Sequence, residues 1–308
     1  MRTPTFLLVV AAAVAALSLP ARAQSDPPDA PPAQRLSYAG KTALVTGSTD
    51  GLGRELALAL AADGAHVIVH GRNAERGAAV VKQITESGTG SASFVAADFA
   101  SMQAVRDFAA TIARDHPRLD LLVNNAGIAF NDDQPRRTSA DGHELQFAVN
   151  YLAGWVLVNA LRPNLAAAAP SRIINVASGS AHAIDFDDVM LERPGASARG
   201  YGQSKLAQVT MTVALAPAFA AQGITMISLH PATLMNTTMV EGLGIPPRTT
   251  VAQGRDHVMG LITAPTLEAG AFYLEGKPFP PRDPQPADPE ARARLLALSA
   301  ELTGVPLE

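Results

Sequence analysis

Short apolar runs alternate with helix-like segments along most of this chain, and that alternation limits the fold more than any other feature. The runs are residues 41–46, 65–70, 92–97, 119–124, 172–177 and 224–229. Between them lie helix patterns at 54–64, 74–86, 101–115, about 141–161 and a segment from about 200 onward. Each run is apolar throughout instead of on alternate residues, as in strands buried on both faces of a parallel sheet. Helical, right-handed crossovers then predict an α/β chain with a single doubly wound parallel sheet (Rossmann-type) and helices on both faces. A last strand is expected at 271–275, and a helix at about 289–302 after Pro-rich coil. No internal repeat or second domain is evident.

Composition narrows the function classes. The 308 residues are 47% apolar and 17% charged, enough for a sizeable core, and the formal charge of −4 gives no sign of nucleic-acid binding. Without cysteine there is no disulfide, thiolate nucleophile or Cys-based metal site, and the seven His lack metal-ligand spacing, so no metal is expected.

The N-terminus reads separately. Arg2 precedes an apolar run from Phe6 to Leu19, and Ala21-Arg22-Ala23 has the small-x-small form of a cleavage site. Residues 1–23 are expected to be a signal peptide, or an uncleaved anchor, although the run is shorter than the roughly 20 residues of a spanning helix. Cleavage would export the mature chain; otherwise it is cytoplasmic or membrane-anchored, and membrane association is expected only with the segment retained. Residues 24–37 read as a flexible linker, 38–276 as the main domain and 277–308 as a Pro-rich tail with a helix.

Polar signals fall where such a sheet binds ligands, at the carboxyl ends of its strands. Gly47-x-x-x-Gly51-x-Gly53 joins the first strand to a helix, where backbone N–H groups can approach a pyrophosphate. After the second strand stands Arg72 and no acid, which favours a 2′-phosphate and so NADP(H) over NAD(H); Asp50 mildly opposes this. Asp98 could meet an adenine or cap the next helix. Asn124 and Ser178 end the fourth and fifth strands. Tyr201 and Lys205 lie four apart on one helix face, where a cation favours the phenolate and suits the tyrosine to proton transfer.

In that order, Thr46-Gly-x-x-x-Gly-x-Gly53, Asn124-Asn-Ala-Gly127, Asn150, Ser178 and Tyr201-x-x-x-Lys205 resemble the short-chain dehydrogenase/reductase family over about residues 38–275. The segments 141–150, 178–182 and 204–207, with the long interval before Tyr201, look most like its retinol-dehydrogenase-like branch. The resemblance implies an NAD(P)-dependent oxidoreductase acting on a small-molecule carbonyl or alcohol, with Tyr201 as proton donor and acceptor. Lys205 would lower the tyrosine's pKa, Ser178 (or Ser180) would hold the substrate oxygen, and Asn150 would order a water. It also implies cofactor contacts from Thr46, Gly47, Ser48, Gly51, Leu52, Gly53, Arg72, Asp98, Asn124, Ala126, Gly127, Tyr201, Lys205 and Pro231. Ala232 replaces the family's usual glycine after that proline, which leaves Thr233, or Thr237, as the amide contact. His182, Met235 and Met239 join Ser178 as substrate candidates; an apolar substrate suits them. Rival readings are a dinucleotide-binding module without turnover, and an isomerase or dehydratase on the same fold. An oligomer is compatible with all of these.

Overall fold

The computed structural model describes residues 35–131 and 134–306, so the expected signal peptide and most of the expected linker lie outside the described residues. Strands β1 (Thr42–Val45), β2 (His66–Gly71), β3 (Ser91–Ala96), β4 (Leu121–Asn124), β5 (Ser171–Val176), β6 (Ile224–His230) and β7 (Phe272–Leu274) run parallel. A short antiparallel β8 (Lys277–Pro278) completes the order β3-β2-β1-β4-β5-β6-β7-β8. The strand order reverses between β1 and β4, the switch point at whose carboxyl ends sheets of this kind bind ligands.

Pleating explains the unbroken apolar strands. Leu44, Ile68 and Leu122 are in register and face a core built with α3 (Met102–Asp115), α5 (Ala153–Ala160) and α7 (Gly200–Ala220). Their neighbours Val45, Val69 and Val123 face the opposite core, with α1 (Gly51–Ala62), α2 (Ala74–Ser87) and α9 (Val251–Ile262). Each fully buried side chain of this size contributes about 1.5–3 kcal/mol. Trp155 is fully buried in the first core.

Local chemistry sets the helix ends. Asp50, Asn73 and Ser101 accept backbone N–H bonds at the starts of α1, α2 and α3, and Gly88 closes α2 with φ +74°. The long helix expected over 141–161 is shorter and interrupted. Asp141 is spent elsewhere, accepting the Met102 N–H at the start of α3, while the Ser139 hydroxyl accepts the N–H groups of Asp141 and His143 in a turn. Helix begins only at α4 (Leu145–Phe147), capped by Glu144. It passes through a π-turn over Ala148–Leu152, then continues as α5 and α6 (Arg162–Ala167).

Beyond β6 lies a short helix, α8 (Thr238–Gly242). The terminal helix α10 (Pro289–Thr303) is packed into the domain: Leu295 is fully buried and Ser299 Oγ lies 2.6 Å from the Tyr151 hydroxyl. Among the described residues no helix is long and apolar enough to cross a membrane.

Candidate active site

The glycine turn between β1 and α1 depends on bare backbone. Gly47 and Gly51 have φ of +63° and +51°, and a Cβ on Gly53 would lie 2.3 Å from the Gly47 carbonyl oxygen. Two side chains hold Gly47 from opposite flanks. Asn125 Nδ2 donates to the carbonyls of Thr46 (2.9 Å) and Gly47 (3.2 Å), and the Gly47 N–H donates to His70 Nδ1 at 3.0 Å. Thr46 Oγ1 accepts the N–H groups of Asn125 and Ala126, so the β4 end is drawn against the turn. Ser48 is fully buried, its hydroxyl donating to Val45 and accepting from the His70 N–H; its side chain serves the turn. Leu52 is likewise in the core. Such a cradle at the start of a helix fits the pyrophosphate of a dinucleotide.

At the far end of the turn, Arg72 is exposed beyond β2 and forms no hydrogen bond or ion pair among the described residues. The Asp50 carboxylate is occupied: it accepts from the Gly51 N–H at 2.8 Å and from Thr238 at 2.8 Å, with Arg76 3.7 Å away. Asp98 is exposed and accepts the Ala100 N–H, whereas Ser101 caps α3 itself.

The first turns of α7 carry the acid–base pair. Lys205 is buried; its Nζ donates to the Val176 carbonyl (2.8 Å) and Gln208 (3.0 Å) and stands 5.7 Å from the Tyr201 ring centroid. Burial lowers its pKa to about 7. The Tyr201 phenol is pushed upward by burial and drawn back by its hydrogen bond to Ser178. This corrects the expectation of a phenol lowered by its lysine: in this arrangement the ammonium nitrogen hydrogen-bonds to β5 and Gln208. Ser178 also accepts the Ser180 N–H at 3.1 Å, leaving Ser180 itself exposed.

Asn150 sits in the π-turn, an irregularity common at functional sites. Its side chain holds both backbone groups of Ile128, at 2.8 and 3.0 Å, and reaches Ser204 Oγ at 2.9 Å; Ser204 in turn donates to the Tyr201 carbonyl. The loop after β4 is thereby tied to the tyrosine helix. Between Asn150 and Lys205 lies Gly127, where a Cβ would stand 3.3 Å from Asn150 Oδ1 and 3.5 Å from Lys205 Nζ. Asn124, by contrast, donates to Asn175 inside the sheet.

The remaining candidates scatter. His182 lies flat against Gly202, one residue beyond Tyr201, where a Cβ would meet its ring at 2.0 Å. Met235 packs its sulfur on Gly254 of α9, beside Leu52, and Met239 is half-buried on α8. The Pro231 carbonyl is held by His257 Nδ1 at 2.7 Å, and the Thr233 hydroxyl by His230 and Glu275. Thr237 stands against Gly51. A narrow crevice beside Ser178 is lined by Leu206, Val209, Phe272 and Phe279, with Arg282 and Asp283 also on its wall. The interval before Tyr201 is anchored by Gln203, through Asp185 and Val189, and by Gln285 of the tail through Ile184. Asn125, His70, Gln208 and Gln203 escaped the sequence reading. Only Asn125 carried a signal, its place inside the Asn-Asn-Ala-Gly motif.

A doubly wound sheet with a glycine turn and a Tyr–Lys helix at its carboxyl edge defines a class of nucleotide-dependent oxidoreductases. The model of the short chain dehydrogenase family matches residues 41–245. Retinol dehydrogenase 13 of Homo sapiens is 35% identical over 287 residues, covering 86% of this chain and 85% of that protein. Among solved structures, one from Mycobacterium Paratuberculosis matches at TM-score 0.71 and 26% identity, covering 88% of this chain and 96% of its own. A 3-oxoacyl (acyl-carrier-protein) reductase from Agrobacterium tumefaciens C58 with NADP bound matches at TM-score 0.62 and 26% identity, covering 78% and 95%. The chain belongs to the short-chain dehydrogenase/reductase family of oxidoreductases, in its retinol-dehydrogenase-like branch.

Proposed function

We propose that this protein is an NADP(H)-dependent oxidoreductase that interconverts an apolar alcohol and its carbonyl compound, with Tyr201, Lys205, Ser178 and Asn150 as its proton relay. The observation that carries the reading is Tyr201 on the first turn of α7 with a buried lysine one turn further on, whose Nζ bonds the Val176 carbonyl two residues before Ser178. When bound, the nicotinamide supplies the hydride to the carbonyl carbon or takes it back. Ser178 holds the substrate oxygen, and Tyr201 gives that oxygen its phenolic proton, leaving a phenolate beside the Lys205 cation. In oxidation the proton returns to Tyr201. With its pKa near 7, Lys205 can exchange a proton at neutral pH, as a relay requires. Asn150 and Ser204 fix the tyrosine helix against the loop after β4.

The turn from Thr46 to Gly53 and the segment Asn124 to Gly127 would hold the dinucleotide, with Asp98 at the adenine and Pro231 and Thr233 at the nicotinamide amide. The unpaired Arg72 supports the 2′-phosphate, because Asp50 is already engaged. Relatives named retinol dehydrogenase support an apolar substrate. Assays of long-chain and cyclic alcohols, aldehydes and ketones, reading NADPH and NADH absorbance, test the reading. Turnover with NADPH and a KM for it raised by Arg72→Ala are expected. Cofactor binding without turnover across the panel would favour the non-catalytic module, and turnover without net cofactor consumption an isomerase or dehydratase. The domain plan extends the proposal to cleavage after Ala23 and an exported mature chain. N-terminal mass spectrometry of the native protein reads this directly: a start at Gln24 supports it and an intact Met1 or Arg2 overturns it.

A further inference from the structure

His70 is an unusual residue to find beneath a glycine turn. It stands at the carboxyl end of β2, is 3% exposed, and stacks on Phe99 with centroids 4.1 Å apart and planes inclined by 17°. Phe108 packs beside the pair, its centroid 4.8 Å from the imidazole and 5.7 Å from Phe99. Both ring nitrogens meet backbone. Nδ1 faces the Gly47 N–H at 3.0 Å and Nε2 faces the Ala97 carbonyl at 3.3 Å. A backbone N–H only donates and a carbonyl only accepts, so these partners define a neutral ring with its proton on Nε2. Burial keeps the ring neutral, lowering its pKa to about 4.

Gly47 opens the phosphate turn, and Ala97 immediately precedes Asp98, the adenine candidate. One imidazole therefore spans the two subsites from below, while Asn125 holds the other side of Gly47. The geometry points to His70 as a positioning residue for the dinucleotide: its fixed tautomer holds Gly47 in its left-handed conformation and sets the turn against the β3 end. This rests on the proposed cofactor reading. His70 touches no reacting atom, so its loss should weaken cofactor binding and spare the chemical step.

Three variants and one measurement on the unaltered protein test it. His70→Phe keeps the aromatic stack and leaves the Gly47 N–H unpaired; a Kd for NADPH raised about tenfold, with kcat at saturating cofactor unchanged, is expected. His70→Asn places its amide oxygen where Nδ1 stands and should recover most of the affinity, whereas the His70→Gln amide reaches only the Nε2 position and should not. Titration calorimetry gives the constants. Equal affinities for the Asn and Gln variants, or a Phe variant that binds like the parent, overturn the proposal. Long-range 15N correlation spectra of the wild-type protein at neutral pH should show the Nε2–H tautomer; an Nδ1–H ring or an imidazolium overturns it even where no variant folds. A wild-type protein that binds neither NADPH nor NADH refutes the proposed function instead, and the spectra still decide the clamp.

Discussion

Strand β5 has a buried cation at each end, and the two are held in different ways. At its amino end Arg172 is 7% exposed and donates to the carbonyls of Leu261, Ile262 and Ala264, where α9 ends. Leu261 also accepts the Ala264 N–H and Ile262 the Tyr38 hydroxyl, and the planar guanidinium bridges all three carbonyls at once. At the carboxyl end Lys205 is 3% exposed and donates to the Val176 carbonyl and Gln208. Burial lowers both pKa values. Arginine begins so high that it stays charged, but the lysine arrives at about 7, where its proton can move. The same desolvation thus makes one cation a fixed clamp and the other a titrating group, and the difference lies in side-chain chemistry.

The first way to break this comparison is at the carboxyl edge. Tyr201→Phe should lower kcat by about 10²–10⁴-fold, because it removes the general acid, while thermal unfolding stays near that of the parent. Activity within a few-fold of the parent would dismiss the relay. Arg172→Met should do the reverse. It removes several hydrogen bonds from a buried charged group and should cost about 3 kcal/mol or more in urea melts, with kcat per folded molecule unchanged. A variant with intact stability and lost turnover would mean that the amino edge also serves the chemistry.

That division also explains what could be read from the residues. The parallel sheet was legible because Val45, Val69 and Val123 face one core and Leu44, Ile68 and Leu122 the other, so every strand is apolar throughout. Helix α9 was not singled out: two glycines dilute its pattern, and its start is fixed by a Thr250–Gln253 capping box. The helix start at 141 failed because Asp141 caps a helix 39 residues earlier, a contact with no sequence signature. Within the site, Tyr201, Lys205 and Ser178 declared themselves by spacing and by position at strand ends. His70 and Gln208 did not, since their roles come from the partners that folding brings to them. Met235 and Met239 were substrate candidates on side-chain character alone, and the packing of Met235 against Gly254 had no sequence signature.

A pH series sharpens the comparison next. Lys205 takes its proton at about 7 in the folded protein and at 10.5 in the unfolded chain. Between those values the unfolded chain binds more protons, so this group makes stability rise with pH, by at most about 1.4 kcal/mol per pH unit. Below pH 7 both states are protonated and the contribution to the slope vanishes. The buried phenols of Tyr38 and Tyr201, pushed upward, oppose it above about pH 10. Denaturant melts from pH 7 to 10 should therefore show a rising term that Lys205→Met removes and Arg172→Met retains.

The smallest effect belongs to the interior of β5, just short of its carboxyl end. Asn175 accepts from Asn124 on β4 and donates to Thr212 Oγ1 on α7 at 2.9 Å, so it joins the sheet to the tyrosine helix without touching either cation. Thr212→Val keeps the shape and removes that acceptor, leaving a buried amide hydrogen unpaired. A loss of about 1 kcal/mol is expected, read as a lowered melting temperature by calorimetry, with the pH dependence of kcat unmoved. If that profile shifted instead, the setting of Lys205 would depend on the whole Asn124–Asn175–Thr212 chain, and the contrast between the two ends would be a property of the strand and its surroundings and not of the two cations.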